Sequence, residues 1–141
     1  KQRGEFIMKK NNKGFSLVEL IVVVLILGIL AVAVTPQVMN WIDKSKVAKD
    51  KNYAGTVATA VESVALEYVG LGKADQITTS LTLNDSGITQ TTTFADDVEA
   101  MIGSGKCKKP EQAGMDQYNI TVTVTGGKTV TVDVTPGAAT P

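Results

Sequence analysis

The chain has 141 residues, room for one domain and one further segment, with 14 basic residues, 14 acidic residues and zero net charge. That balance offers no overall field to attract nucleic acid, and no nucleic-acid partner is expected. With no His and a single Cys, the composition excludes His-based acid–base catalysis, Ser-His-Asp and Cys-His pairings, ordinary zinc sites and an internal disulfide, so neither enzyme nor cofactor chemistry is expected.

A start at Met8 would give the leader M-K-K-N-N-K-G, so residues 1–7 read as an upstream extension outside the fold. Lys9, Lys10 and Lys13 carry positive charge with no acid among them, which holds this short end in the cytoplasm and sends the bulk of the chain outward. Lysines also follow the apolar segment, at Lys44, Lys46 and Lys49, but a long domain translocates despite them.

From Leu20 to Val34 no polar side chain occurs, and Phe15, Leu17 and Val18 extend the run upstream. Phe15 to Val34 is 20 residues, which as a helix spans about 30 Å, the hydrocarbon thickness of a bilayer. Glu19 is the anomaly, because a charge at mid-membrane depth costs about 2.5–3.5 kcal/mol on insertion scales. Ser16-Leu17-Val18-Glu19 fits an S-x-x-E capping box, a local way to satisfy the carboxylate at the positive end of a helix.

The residues around it carry more. K-G-F-S-L-V-E-L at Lys13 to Leu20, opening an apolar helix after a Lys-rich leader, resembles the processing motif of the type IV pilin and pseudopilin family, prepilins with a class III leader peptide. The resemblance implies cleavage by a prepilin peptidase after Gly14, N-methylation of Phe15, and a role for Glu19 in assembly and subunit register. The chemistry is coherent: glycine admits close approach to the backbone, and cleavage releases an α-amine with a pKa of roughly 8. Glu19 stands four residues from Phe15, so it can pair with its own amine or with that of a neighbouring subunit. Gly28 and Pro36 fit the helix break that family helices show in filaments; a simple membrane-helix kink explains them as well.

A rival reading uses the same residues. The Lys-rich start, apolar core and Ala31-Val32-Ala33 imitate an ordinary signal peptide, giving an exported binding domain that begins near Val34. That reading leaves Glu19 and the K-G-F-S-L-V-E motif unexplained.

Beyond Pro36 the helical period resumes, with Ala54, Val57, Ala58, Val61, Val64, Ala65 and Tyr68 on one face, and Gly70 and Gly72 give a stop. Residues Ile77 to Thr93 suit short strands or a looping connection. Thr93 can cap a short helix over Phe94 to Ile102, with Asp96 and Asp97 in its first turn. Gly103 to Asp116, with Lys106, Cys107, Lys108 and Lys109, has the composition of an exposed loop. Tyr118 to Thr125 and Thr129 to Thr135 alternate as two strands. A two-residue Gly-Gly loop would mix their faces, whereas pairing Val124 with Val130 across Gly126-Gly127-Lys128 keeps the valines together.

The expected fold is α+β: a long N-terminal α-helix, membrane-spanning in its first half, packed against a small antiparallel β-sheet. The expected organisation is extension plus leader over 1–14, transmembrane and filament-core helix over 15–36, its continuation over 37–69, a head with C-terminal hairpin over 70–135, and a disordered tail over 136–141. The resemblance implies a homopolymer in an extracellular pilus, serving adhesion, motility or surface interaction, with the cytoplasmic membrane as the precursor's site. Prepilin peptidase, membrane lipid and the pilus assembly machinery are the implied partners. A minor pilin, or a pseudopilin of a secretion or DNA-uptake system, stays open. The paired cysteines of many Gram-negative pilins are missing.

Overall fold

The computed structural model describes residues 14–103 and 105–138. It divides into two units, Lys1–Met39 and Asn40–Pro141. The leader lysines and residues 139–141 lie outside the described residues.

Helix α1 covers Leu17–Gly70, 54 residues. It opens where the Leu20 N–H reaches the Ser16 carbonyl at 3.2 Å, with Glu19 in its first turn. In the first unit every described residue of the helix is exposed, the apolar run included. Gly28 and Pro36 both lie inside α1. Proline removes one backbone donor there, and one residue earlier the Thr35 hydroxyl donates to the Ala31 carbonyl at 2.8 Å.

In the second unit α1 turns one face to a core. Ala54, Val57, Val61, Val64, Ala65 and Tyr68 are buried along it, with Ala58 at its margin, as the period predicts. The helix ends in a Schellman motif: Lys73 N–H reaches the Tyr68 carbonyl at 2.8 Å and Gly72 N–H the Val69 carbonyl at 3.1 Å. That closure needs a left-handed residue, supplied by Gly72 at φ +72°.

A 3-10 turn at Ala74–Gln76 leads into a four-stranded antiparallel sheet. Its strands are β1 Ser80–Asn84, β2 Gly87–Ile88, β3 Gln117–Thr125 and β4 Thr129–Gly137, in spatial order β2-β1-β3-β4. Leu81 faces Ile120 and Leu83 faces Tyr118 across β1 and β3. These four side chains and Val122 are the sheet's most buried residues. Burial of such side chains is worth about 1.5–3 kcal/mol each and is the main cohesion of the unit.

The hairpin has the expected register. Val124 pairs with Val130 and Thr125 with Thr129, leaving Gly126, Gly127 and Lys128 as the loop, with both glycines at positive φ. The odd loop length keeps the valines on the core face and the threonines on the other.

Two expectations need correction. Helix α2, Thr93–Ile102, is capped by Thr92 rather than Thr93: the Ala95 N–H donates to the Thr92 hydroxyl at 3.2 Å, and Thr93 is already helical. A run of three threonines lets the chain choose which one caps, and burial of Phe94, Ala95 and Val98 fixes the phase. Strand β4 also continues past Thr135, pairing Pro136 with Tyr118 and Gly137 with Gln117, so the first two residues of the expected disordered tail belong to the sheet. Proline is tolerated because β4 is an edge strand.

Candidate functional site

The N-terminal residues come first. Gly14 has open space where a Cβ would stand, and Phe15 is 83% exposed. With Leu17 as the first helical residue, Ser16 is the N-cap, Phe15 precedes the cap and Glu19 is the third helical residue. Glu19 is exposed beside the helix's unpaired N–H groups, where the backbone dipole favours an anion. Among the described residues it has no ion-pair partner. Below it the helix is apolar, long enough to cross a membrane, and unburied.

A second constellation was missed by sequence reasoning. Asp50 is 2% exposed and is the buried charged residue among those described. Its carboxylate accepts from the Glu111 N–H at 2.8 Å, the Gln112 N–H at 3.1 Å and the Tyr118 hydroxyl at 3.3 Å. Burial alone would raise its pKa, but these three donors to the charged form outweigh it and hold the carboxyl below its ordinary range. Burial, aided by the Asp50 charge, pushes the Tyr118 hydroxyl well above its ordinary range.

One turn further along, the Tyr53 hydroxyl donates to the Lys106 carbonyl and accepts from the Lys108 N–H, each at 3.1 Å. Its ring lies 5.3 Å from that of Tyr118. Lys49 adds an ion pair to Glu111 at 3.1 Å. Together these contacts tie the 106–112 loop to α1, and the loop read from composition as simply solvated is held at five points. The one available signal was Asp50 itself, a carboxylate four residues before Ala54 on the apolar stripe. Cys107, in the tied loop, is half-buried, and burial with the Glu99 charge raises its thiol. A cavity of about 290 Å³ lies here, lined in part by Lys49, Tyr53, Lys108 and Lys109.

Residues 9–35 match the family described as the prokaryotic N-terminal methylation motif. The chain is 43% identical over 60 residues to the type IV major fimbrial protein FimA of Dichelobacter nodosus, covering 43% of this chain and 38% of that protein. It is 42% identical over 59 residues to the type II secretion system core protein G of Pseudomonas aeruginosa, 42% of each. A fimbrial protein of Pseudomonas aeruginosa is 35% identical over 97 residues, 69% of this chain and 57% of that protein. The matches thus span 38% to 57% of these relatives' own lengths, and no solved structure matches the chain. The matched motif opens a helix whose later part packs on a small antiparallel sheet, and along that motif and helix the chain is similar to type IV pilin-like proteins.

Proposed function

We propose that this chain is the structural subunit of an extracellular type IV pilus, made as a membrane-anchored precursor and polymerised through the apolar part of α1. The observation that carries this reading is an exposed apolar helical run, Leu20–Val34, with Glu19 as the one charge beside it. Such a surface needs lipid in the precursor and neighbouring helices in the filament. The gain on leaving lipid is modest, since lipid is already apolar, so packing and the pairing of Glu19 set the assembled state.

In this reading a prepilin peptidase cuts between Gly14 and Phe15, and Phe15 is then N-methylated. The new amine is a cation next to Glu19, and pairing between subunits fixes register. Gly28 and Pro36 mark where α1 yields when helices bundle. The chain acts by assembly and not by catalysis, and the assembly machinery of the cytoplasmic membrane is its other partner.

The similarity to a type II secretion system core protein supports a second reading, a pseudopilin whose filament stays short. Purified filaments test both. Subunits whose N-terminus is Phe15, one methyl heavier than the plain residue, support the processing reading; an N-terminus near Val34 overturns it in favour of an ordinary signal peptide. Long surface filaments select the pilin, and filaments confined to the cell envelope select the pseudopilin.

A further inference from the structure

Zero net charge conceals an uneven distribution along the second unit. On α1, Lys44, Lys46, Lys49 and Lys51 fall within eight residues whose one acid, Asp50, is buried, whereas from Asn52 to Gly70 the charged residues are Glu62 and Glu67. The attached elements extend the same polarity. The loop held by Asp50 and Tyr53 adds Lys106, Lys108 and Lys109 at the lysine end. Helix α2, whose Asp97 accepts from the Tyr68 hydroxyl at 2.6 Å, adds Asp96 and Asp97 at the glutamate end. Just past the helix, Lys73 and Asp75 offset one another.

The ion pairs among the described residues are Lys46–Asp43 and Lys49–Glu111. Lys108, Lys109, Glu67 and Asp96 are therefore exposed charges with no ion-pair partner among the described residues. Lys49 and Glu67 are 18 residues apart, five full turns, so they project from the same side of α1 with an offset of about 27 Å along its axis. The lysine end presents the cavity lined by Lys49, Lys108 and Lys109, where the Asp50 carboxylate is held by the loop N–H groups and that of Glu111 by Lys49. The other end presents a groove bordered by Val64, Glu67, Asp97 and Met101, with Met101 half-exposed.

We propose that heads of parallel copies of this chain stack end to end, the Glu67–Asp96–Asp97 rim of one copy set against the Lys108–Lys109 loop and cavity of the next. The partner is a second copy because one chain carries both halves of the complementary pair. Copies related by translation along the helix axis keep each patch on the same side, so a shared side and an axial offset suit stacking. The contact is heterologous and does not close on itself, and it propagates as a filament instead of ending as a dimer. It rests on the filament reading and adds to it the head surfaces that meet.

The test uses the full chain in cells, scored by sheared filaments relative to subunit in the membrane. The Lys108→Glu/Lys109→Glu pair and the Glu67→Lys/Asp96→Lys pair each place like charges in contact, and each is expected to lower filament recovery about tenfold or more. The four changes together restore complementarity with the polarity exchanged, and recovery should return to within a few-fold of the unaltered chain. Rescue excludes misfolding as the cause of loss, because a head that cannot fold is not repaired by two more changes. Charge reversals that leave recovery unaltered, or a fourfold variant no better than either pair, overturn the stacking while the filament reading stands. An unaltered chain that makes no filament in its own cells overturns both.

Discussion

The Asp50 carboxylate and the Tyr118 hydroxyl meet at 3.3 Å inside the head, joining α1 to β3 across 68 residues of sequence. The same carboxylate receives two consecutive backbone N–H groups from the loop between α2 and β3. A chain without an internal disulfide thus fastens its longest loop through one buried anion and the two tyrosines beside it.

Asp50→Ala leaves two backbone donors and a hydroxyl without their acceptor at a buried position. Each buried donor left unsatisfied costs about 1–3 kcal/mol, against a total stability of about 5–15 kcal/mol for a domain. Chemical denaturation of the full chain in detergent micelles should show a large fall in midpoint, and limited proteolysis should cut first between residues 103 and 116. Asp50→Asn keeps one acceptor and should lose less. Equal stability of Asp50→Ala and the unaltered chain would mean that the loop is held by other contacts.

The pH dependence follows from the same group. The carboxyl is held below its ordinary range in the folded head, so the unfolded chain binds the proton first. Its contribution is fully present above about pH 4, the unfolded value, and is lost as pH falls through the lower folded value. Melting temperature should therefore drop below pH 4, and Asp50→Asn should flatten that limb.

The tyrosines titrate in the opposite sense. Tyr68, bonded to Asp97, is raised to about 12; burial raises Tyr53, and burial with the Asp50 charge raises Tyr118 further. Their stabilising effect is present below about pH 10 and is lost as pH rises through the folded values. Tyrosinate absorbance of the folded chain should lag behind that of the denatured chain by more than one pH unit, a lag that vanishes on unfolding. Coincident curves would contradict the buried placement of Tyr118.

Helix α2 offers a direct contrast between adjacent residues. Thr92→Ala removes the cap on Ala95 N–H and the hydroxyl contact with Thr78, and should cost about 1 kcal/mol; Thr93→Ala should be nearly neutral. A shift in thermal midpoint for Thr92→Ala alone is the expected result. The reverse order would move the helix start back to Thr93.

What the sequence disclosed depended on whether a local rule was at work. The α1 face from Ala54 to Tyr68 and the Val124–Val130 register follow from the periods of helix and strand and from loop parity, and both were legible. Gly14, Phe15 and Glu19 were legible as a motif. The choice of Thr92 over Thr93 was not, because neighbouring threonines cap equally well until the buried Phe94 sets the helix phase. Asp50 was least legible: its partners Glu111, Gln112 and Tyr118 are more than 60 residues away, and a carboxylate next to Lys49 and Lys51 reads as one more solvated charge.

Glu19 is exposed at the head of α1. It lies at the third helical position, beside free backbone N–H groups, so neither the first turn nor the apolar run requires its partner to come from its own chain. Glu19→Ala removes a charge that costs energy in lipid, and the precursor should insert at least as well as the unaltered chain. Gly14 and Phe15 are untouched, so cleavage should proceed and the membrane fraction should hold mature subunit. Under the proposed processing, loss of the carboxylate leaves the new amine unpaired among apolar helices, and filament recovery should fall to background. Glu19→Asp shortens the side chain by one methylene and should recover part of the assembly. Abundant filaments from Glu19→Ala would remove the register role; uncleaved precursor would move Glu19 from assembly to recognition by the peptidase.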